Sequence, residues 1–283
     1  MQNDNTRYYP NQRFDIGFFA IWSIMFHNIR RSRFLIYQLL KRDLFAQYKK
    51  SFVGIGWALI TPIFAILSWL LMRMTGILNP GELDIPYPVY ILMGATCWRY
   101  FASMIDAGAR TLSAGKDLIQ QVNYPHEVIF FQQLLLKNID FLISFIIVNL
   151  AIALLGVYPS WKIIFLPLVM IPCMALGSSV GLLLAIIGVV AVDVTRFVNS
   201  IIGFLIYTVP IIYSDKVESE LLQFVNKYNP LTYLVCSMRD LVLFGNLYEW
   251  RVFIVVSVVS ILILIFVLKT FYVLENKIIE RMI

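Results

Sequence analysis

Charged and apolar residues are segregated along this chain into long blocks. Positions 52–72 contain no charged residue, and at about 1.5 Å per residue a helix of that length crosses the roughly 30 Å of a bilayer's hydrocarbon layer. Further apolar blocks at about 88–107, 134–157, 163–192, 197–213 and 252–272 predict six spans in all. Arg99 interrupts the second block, and Lys137 and Asp140 lie near the start of the third. The fourth is too long for one untilted crossing, and Pro167 and Pro172 bend it or end a first short piece; it counts as one span. The expected fold is an all-α polytopic membrane protein. A cytoplasmic segment 1–33, an amphipathic interface helix 34–50, a transmembrane domain 51–273 and a cytoplasmic tail 274–283 use up the chain, leaving no soluble domain of useful size.

Two stretches are amphipathic rather than apolar. In 34–50, Ile36, Leu40, Leu44 and Tyr48 form an i, i+4 row, while Gln38, Arg42 and Lys49 fall on the opposite face. Such a helix lies along the cytoplasmic membrane surface, packs on the protein's own bundle, or does both. Before the last span, 220–228 and 231–244 are apolar at helical spacing and are separated by Asn229-Pro230, since proline disfavours helix in the residue before it. They predict two short external helices, re-entrant or on the surface. The apolar run 18–26 has Arg30, Arg31 and Arg33 beyond it and no small-residue cleavage site, so it is expected to stay on the protein as an interfacial segment.

Composition agrees with a membrane solvent: 60% of residues are hydrophobic, 14% are charged, and the mean hydropathy is +0.77. The net charge of +6 does not indicate nucleic acid, because the Lys and Arg residues are concentrated ahead of the first span and in the intervals assigned to one side. That bias places both termini in the cytoplasm. Cys97, Cys173 and Cys236 are far apart in apolar stretches and suggest neither disulfides nor a metal site.

Catalytic chemistry is not expected. A phosphate-binding loop around Gly115-Lys116 needs Gly at 110 and Ser or Thr at 117, where Arg110 and Asp117 stand. His27 and His126 are isolated, and no Ser, His and Asp set or paired carboxylates can be defended. Gly177 and Gly181 allow close helix approach, within the subunit or at a dimer seam. Arg99 is the most informative residue, because arginine at mid-bilayer costs about 2.5–3.5 kcal/mol on insertion scales unless it faces protein or water. In Trp98-Arg99-Tyr100-Phe101 it sets a cation among aromatics, suited to sugar rings and phosphate on a translocation path. The alternatives are pairing with a carboxylate such as Asp106, or snorkelling to an interface.

Arg42-Asp43, Tyr48, Ser51, Gly54, Trp57 and Pro62 together resemble the signature at the start of permeases in ABC exporters of O-antigen, capsule and teichoic acid, the type-2 ABC exporter permeases. Later segments agree in order. LIQQVNYPHE, 118–127, is similar to that family's cytoplasmic coupling segment, Asp193 matches an acidic position after span four, and Asn229-Pro230-Leu231-Thr232 with Arg239-Asp240 resembles the external segment before span six. The likeness covers about 34–272. It departs where Phe-Pro-Arg-Glu reads Tyr124-Pro125-His126-Glu127, and at Val53 and Val192.

The resemblance implies a homodimer of six-helix permeases with two copies of a separate nucleotide-binding ATPase, which would hold the ATP and Mg; no cofactor is expected on this chain. It implies coupling to the ATPase through Asp117, Gln120, Asn123, Tyr124, Pro125 and Glu127. The interface helix and portal would comprise Arg42, Asp43, Tyr48, Ser51, Gly54 and Trp57, and the path would include Trp98, Arg99, Tyr100 and Phe101. The cargo would be lipid-linked polysaccharide. Export of a small hydrophobic drug or lipid by the same kind of permease is the alternative, with a less aromatic path. A secondary carrier would call for inverted repeats and deep carboxylates, and a membrane glycosyltransferase for a large polar loop.

Overall fold

The computed structural model describes residues 17–49, 83–114, 125–188, 191–215 and 219–280, together with 56, 64, 67, 68, 70–76 and 81. The described residues form helices joined by turns. They are α1 (Phe18–Arg31), α2 (Arg33–Lys49), α3 (Tyr87–Ala109), α4 (His126–Leu154), α5 (Leu166–Gly188), α6 (Val192–Leu205), α7 (Glu220–Tyr228), α8 (Pro230–Leu243) and α9 (Trp250–Glu280). A short turn of helix, Thr111–Ala114, follows α3, and a 3-10 turn, Trp161–Phe165, leads into α5.

Among the described residues, three helical stretches are long and apolar enough to cross a membrane: His126–Leu154, Trp161–Gly188 and Trp250–Leu274. Helix α3 has comparable length, 23 residues, and lies at the centre of the bundle against both α4 and α5. Pro86 and Pro88 fix its start, where the absent proline N–H is not missed. Its buried face includes Ile91, Met93, Cys97, Met104 and Ile105. Helix α8 fills the space among α3, α5 and α9 and is buried along nearly its whole length. The Asn229 side chain caps it by accepting from the Leu231 amide at 3.0 Å, with Pro230 at the first turn.

Helices α3 and α5 approach to backbone contact. A Cβ at Gly108 would stand 2.6 Å from the Ser178 carbonyl oxygen, and one at Gly181 would meet the Ile105 carbonyl and the Gly108 Cα. The Gly177/Gly181 pair therefore serves packing within the subunit, where a side chain would push the two backbones apart.

Element bounds depart from the hydropathy blocks at informative places. Helix α4 begins at His126, eight positions before the expected span, because Glu127, Gln132 and Gln133 are polar yet buried against protein. Helix α9 runs on through the expected tail to Glu280. The fifth block is helical over Val192–Leu205 and Ile206–Thr208, then breaks at Pro210. At about 1.5 Å per residue the 14-residue α6 covers about 21 Å, less than the hydrocarbon thickness. The first expected span lies mostly outside the described residues.

Candidate functional site

Polar contacts gather at the two ends of the bundle. At the end where α4 begins, α1 and α2 lie against α4. Asn28 of α1 donates to Glu127 Oε1 at 2.8 Å, Gln132 of α4 donates to Asp43 Oδ2 of α2 at 3.1 Å, and Gln47 donates to Asp140 Oδ2 at 3.3 Å. Arg42 pairs with the other Asp43 oxygen at 2.8 Å, and Gln133 donates to Gln132 at 2.9 Å. Ile36 and Leu39 are buried beneath this seam, whereas Phe34, Tyr37 and Phe45 face outward, so α2 packs on the bundle and offers its other face to the surroundings. Glu127 is only 2% exposed. An unpaired carboxylate at such a depth would be strongly disfavoured, and the Asn28 amide offsets part of that cost.

One helical turn further along, a groove of about 190 Å³ opens between α3 and α4, lined by Arg99, Ser103, Lys137, Asp140 and Ser144. The rings of Tyr100 and Phe141, 4.6 Å apart, complete it, and the Tyr100 hydroxyl donates to Asn138 at 3.0 Å. Trp98 and Phe101, with ring centroids 5.5 Å apart, are turned into the bundle and buried. This follows from helix geometry, since neighbours along a helix diverge by about 100°. Asp106 does not pair with Arg99: its two oxygens are taken by Arg110 at 2.7 Å and Lys137 at 3.0 Å. Among the described residues Arg99 has no ion-pair partner, and its side chain is exposed to the groove.

At the opposite end, several of the carbonyls freed where the chain breaks after Thr208 are met by side chains. Tyr90 donates to Pro210 O at 3.0 Å, Tyr87 to Ile212 O at 3.0 Å, and Asn229 to Thr208 O at 3.2 Å. Arg239, 2% exposed, also reaches Pro210 O and pairs with Asp240 at 2.7 Å. Irregular backbone is tolerated at membrane depth when it is sheltered and bonded in this way.

Comparison with known proteins places this arrangement. Residues 34–243, from α2 to the end of α8, match the family described as ABC-2 type transporter. The chain belongs to the ABC-2 type transporter family. It is 26% identical over 220 residues to an O-antigen export system permease protein of Klebsiella pneumoniae, covering 76% of this chain and 83% of that protein. A second Klebsiella pneumoniae protein of the same description is 24% identical over the same extent. A counterpart in Myxococcus xanthus is 23% identical over 235 residues, 82% of this chain and 89% of that one. As a member of this family, with apolar helices of spanning length, the chain is a multi-pass membrane protein.

Within this ABC-2 member, the residues singled out from sequence fall into distinct environments. Pro125 caps α4, and Glu127, in the first turn of α4, is buried against α1; Asp117, Gln120, Asn123 and Tyr124 lie outside the described residues, as do Ser51, Gly54, Trp57 and the Tyr48 side chain. Arg42 and Asp43 belong to the seam with α4, and Arg99 and Tyr100 share the groove. The sequence reading passed over Asn28, Gln47, Gln132 and Lys137 as site residues. Polar side chains at helical spacing on the first turns of α4 were the signal available for Gln132 and Lys137.

Proposed function

We propose that this chain is the permease subunit of an ATP-driven exporter that moves lipid-linked polysaccharide across the bacterial cytoplasmic membrane. The observation that carries this reading is its likeness, over most of both chains, to permeases described as exporting O-antigen. In this reading the chain has six spans with both termini cytoplasmic, works as a homodimer, and receives two copies of a nucleotide-binding subunit that binds ATP and Mg. The segment 117–127 seats in that ATPase. Closure of the ATPase dimer pushes on it, and a path opens between the two permeases for the polymer, lipid-linked end first.

The geometry supports a specific transmission. Segment 117–127 runs directly into α4, and the first turns of α4 are tied to α1 by Asn28–Glu127 and to α2 by Asp43–Gln132. A push at the start of α4 therefore reaches both interface helices without crossing the bundle. Glu127 acts here by holding α1 to α4, and Arg99 presents its charge toward the cargo, while the buried Tyr100 backs it.

Purification of the chain alone and with a co-expressed nucleotide-binding subunit tests this. ATP turnover is expected only for the complex, and a strain lacking the permease gene should lose surface polysaccharide, regained on complementation. Turnover by the lone chain, or normal surface polysaccharide in the deletion strain, would overturn the proposal.

A further inference from the structure

We propose that the groove between α3 and α4 at Arg99 binds the phosphate of a lipid headgroup. The charge balance leads there. Arg99, Arg110 and Lys137 stand near the groove with two carboxylates, Asp106 and Asp140. Asp106 is held between Arg110 and Lys137, and Asp140 accepts from Gln47. Arg99 is left over: a guanidinium with five N–H donors, on an apolar helix, with no ion-pair partner among the described residues. A phosphate neutralises it, two of its oxygens each accepting one of those N–H bonds.

Other donors converge on the same space. Lys137 uses one of its three N–H bonds on Asp106, and the Ser144 hydroxyl makes no hydrogen bond among the described residues. Ser103 is already committed, donating to the Tyr100 carbonyl at 2.7 Å. Tyr100 and Phe141 supply an apolar wall for the first atoms of a hydrocarbon chain. At about 190 Å³ the groove is smaller than the roughly 300–1,000 Å³ of sites that enclose a drug-sized ligand. It suits a phosphate or diphosphate and excludes a string of sugars.

Helix α2 sets the depth. Its Gln47 touches Asp140 on the rim of the groove, and its exposed Phe34, Tyr37 and Phe45 mark a face suited to lying in the headgroup layer. The groove therefore opens where lipid phosphates lie, which favours a lipid over a dissolved anion. The phosphate has two sources, an ordinary anionic phospholipid or the diphosphate of a polyprenyl carrier; the second rests on the exporter reading above.

The test uses the full chain in detergent, titrated with polyprenyl diphosphate, with polyprenol and with phosphatidylglycerol, and bound lipid read by native mass spectrometry. Polyprenyl diphosphate is expected to bind more tightly than polyprenol by about tenfold or more, the scale of one charge-assisted hydrogen bond. Arg99→Gln should abolish that difference and Arg99→Lys should keep part of it, with elution and thermal unfolding unchanged. Preference for the diphosphate over phosphatidylglycerol assigns the carrier as the source; equal binding assigns bulk phospholipid. Polyprenol binding as tightly as its diphosphate, or Arg99→Gln binding the diphosphate like the unaltered chain, overturns the site. Should Arg99→Gln fail to fold, the polyprenol comparison and Arg99→Lys still decide. Because the readout needs no ATPase and no transport, its failure is distinct from failure of the exporter reading.

Discussion

The guanidinium of Arg239 stands 4.1 Å from the centre of the Tyr90 ring, and both side chains donate to one carbonyl, that of Pro210. Proline ends the helical path after Thr208, so carbonyls that an unbroken helix would have bonded are exposed to the interior. A hydroxyl and a guanidinium replace the missing amides. Removing the guanidinium leaves Asp240 buried without its cation, a change that costs about 3–5 kcal/mol in comparable buried pairs. Arg239→Met is expected to lower the thermal unfolding temperature of the purified chain sharply, and Tyr90→Phe to lower it less, because Arg239 still donates to Pro210 and only about 0.5–1.5 kcal/mol of one net hydrogen bond is lost. Equal unfolding temperatures for Arg239→Met and the unaltered chain would refute this account.

Backbone contact between α3 and α5 makes a second prediction. Gly181→Ala should prevent accumulation of a monodisperse protein in membranes, since the added methyl has only backbone to displace. Gly203→Ala, with nothing within 4 Å of the added carbon, is the control and should be tolerated or gain about 0.5–1 kcal/mol from helix propensity. Size-exclusion profiles and membrane abundance of the two variants compare them.

The seam between the interface helices and α4 predicts coupled loosening. Asn28→Ala with Asp43→Ala should release α1 and α2, seen as faster trypsin cleavage at Arg30, Arg31 and Arg33, while the unfolding temperature of the bundle changes little. Cleavage at the unaltered rate would mean that the buried Ile36 and Leu39, not these polar contacts, hold the pair down.

Sidedness is open to direct labelling, because the native Cys97, Cys173 and Cys236 are buried and give little background. Tyr158→Cys, in the exposed turn between α4 and α5, should react with an impermeant maleimide on intact cells, and Asp117→Cys only after lysis. The reverse pattern would invert the topology and remove segment 117–127 from reach of a cytoplasmic ATPase.

Much of the architecture was legible because it is local. Length and apolarity mark α4, α5 and α9, Asn229-Pro230 marks the junction of α7 and α8, and the spacing of Gly177 and Gly181 marks a close approach. The bounds of α4 and the course of 197–213 were not legible. Both depend on partners remote in sequence: Glu127 is at home because Asn28 reaches it, and the break that Pro210 makes is sheltered in the bundle because Tyr90 and Arg239 donate to its carbonyl. Hydropathy counts such residues as polar and ends the block, having no view of what they touch. The Arg99 groove was half legible. An arginine in an apolar block flags itself, but whether Asp106 answers it depends on Lys137 and Arg110 competing for the same carboxylate.

The contact of Gly108 with Ser178 and Gly181 has a mechanical consequence. Where two helices touch through side chains, a rotamer change gives them room to slide; where they touch through backbone, there is nothing to rearrange. Helices α3 and α5 thus behave as one beam, and a conformational cycle that slid them apart would open a void along the whole contact. Motion must be accommodated on either side of that beam: by α4 with its attached interface pair, and by the short, outward-lying α6. The glycines decide which part of the protein stays still.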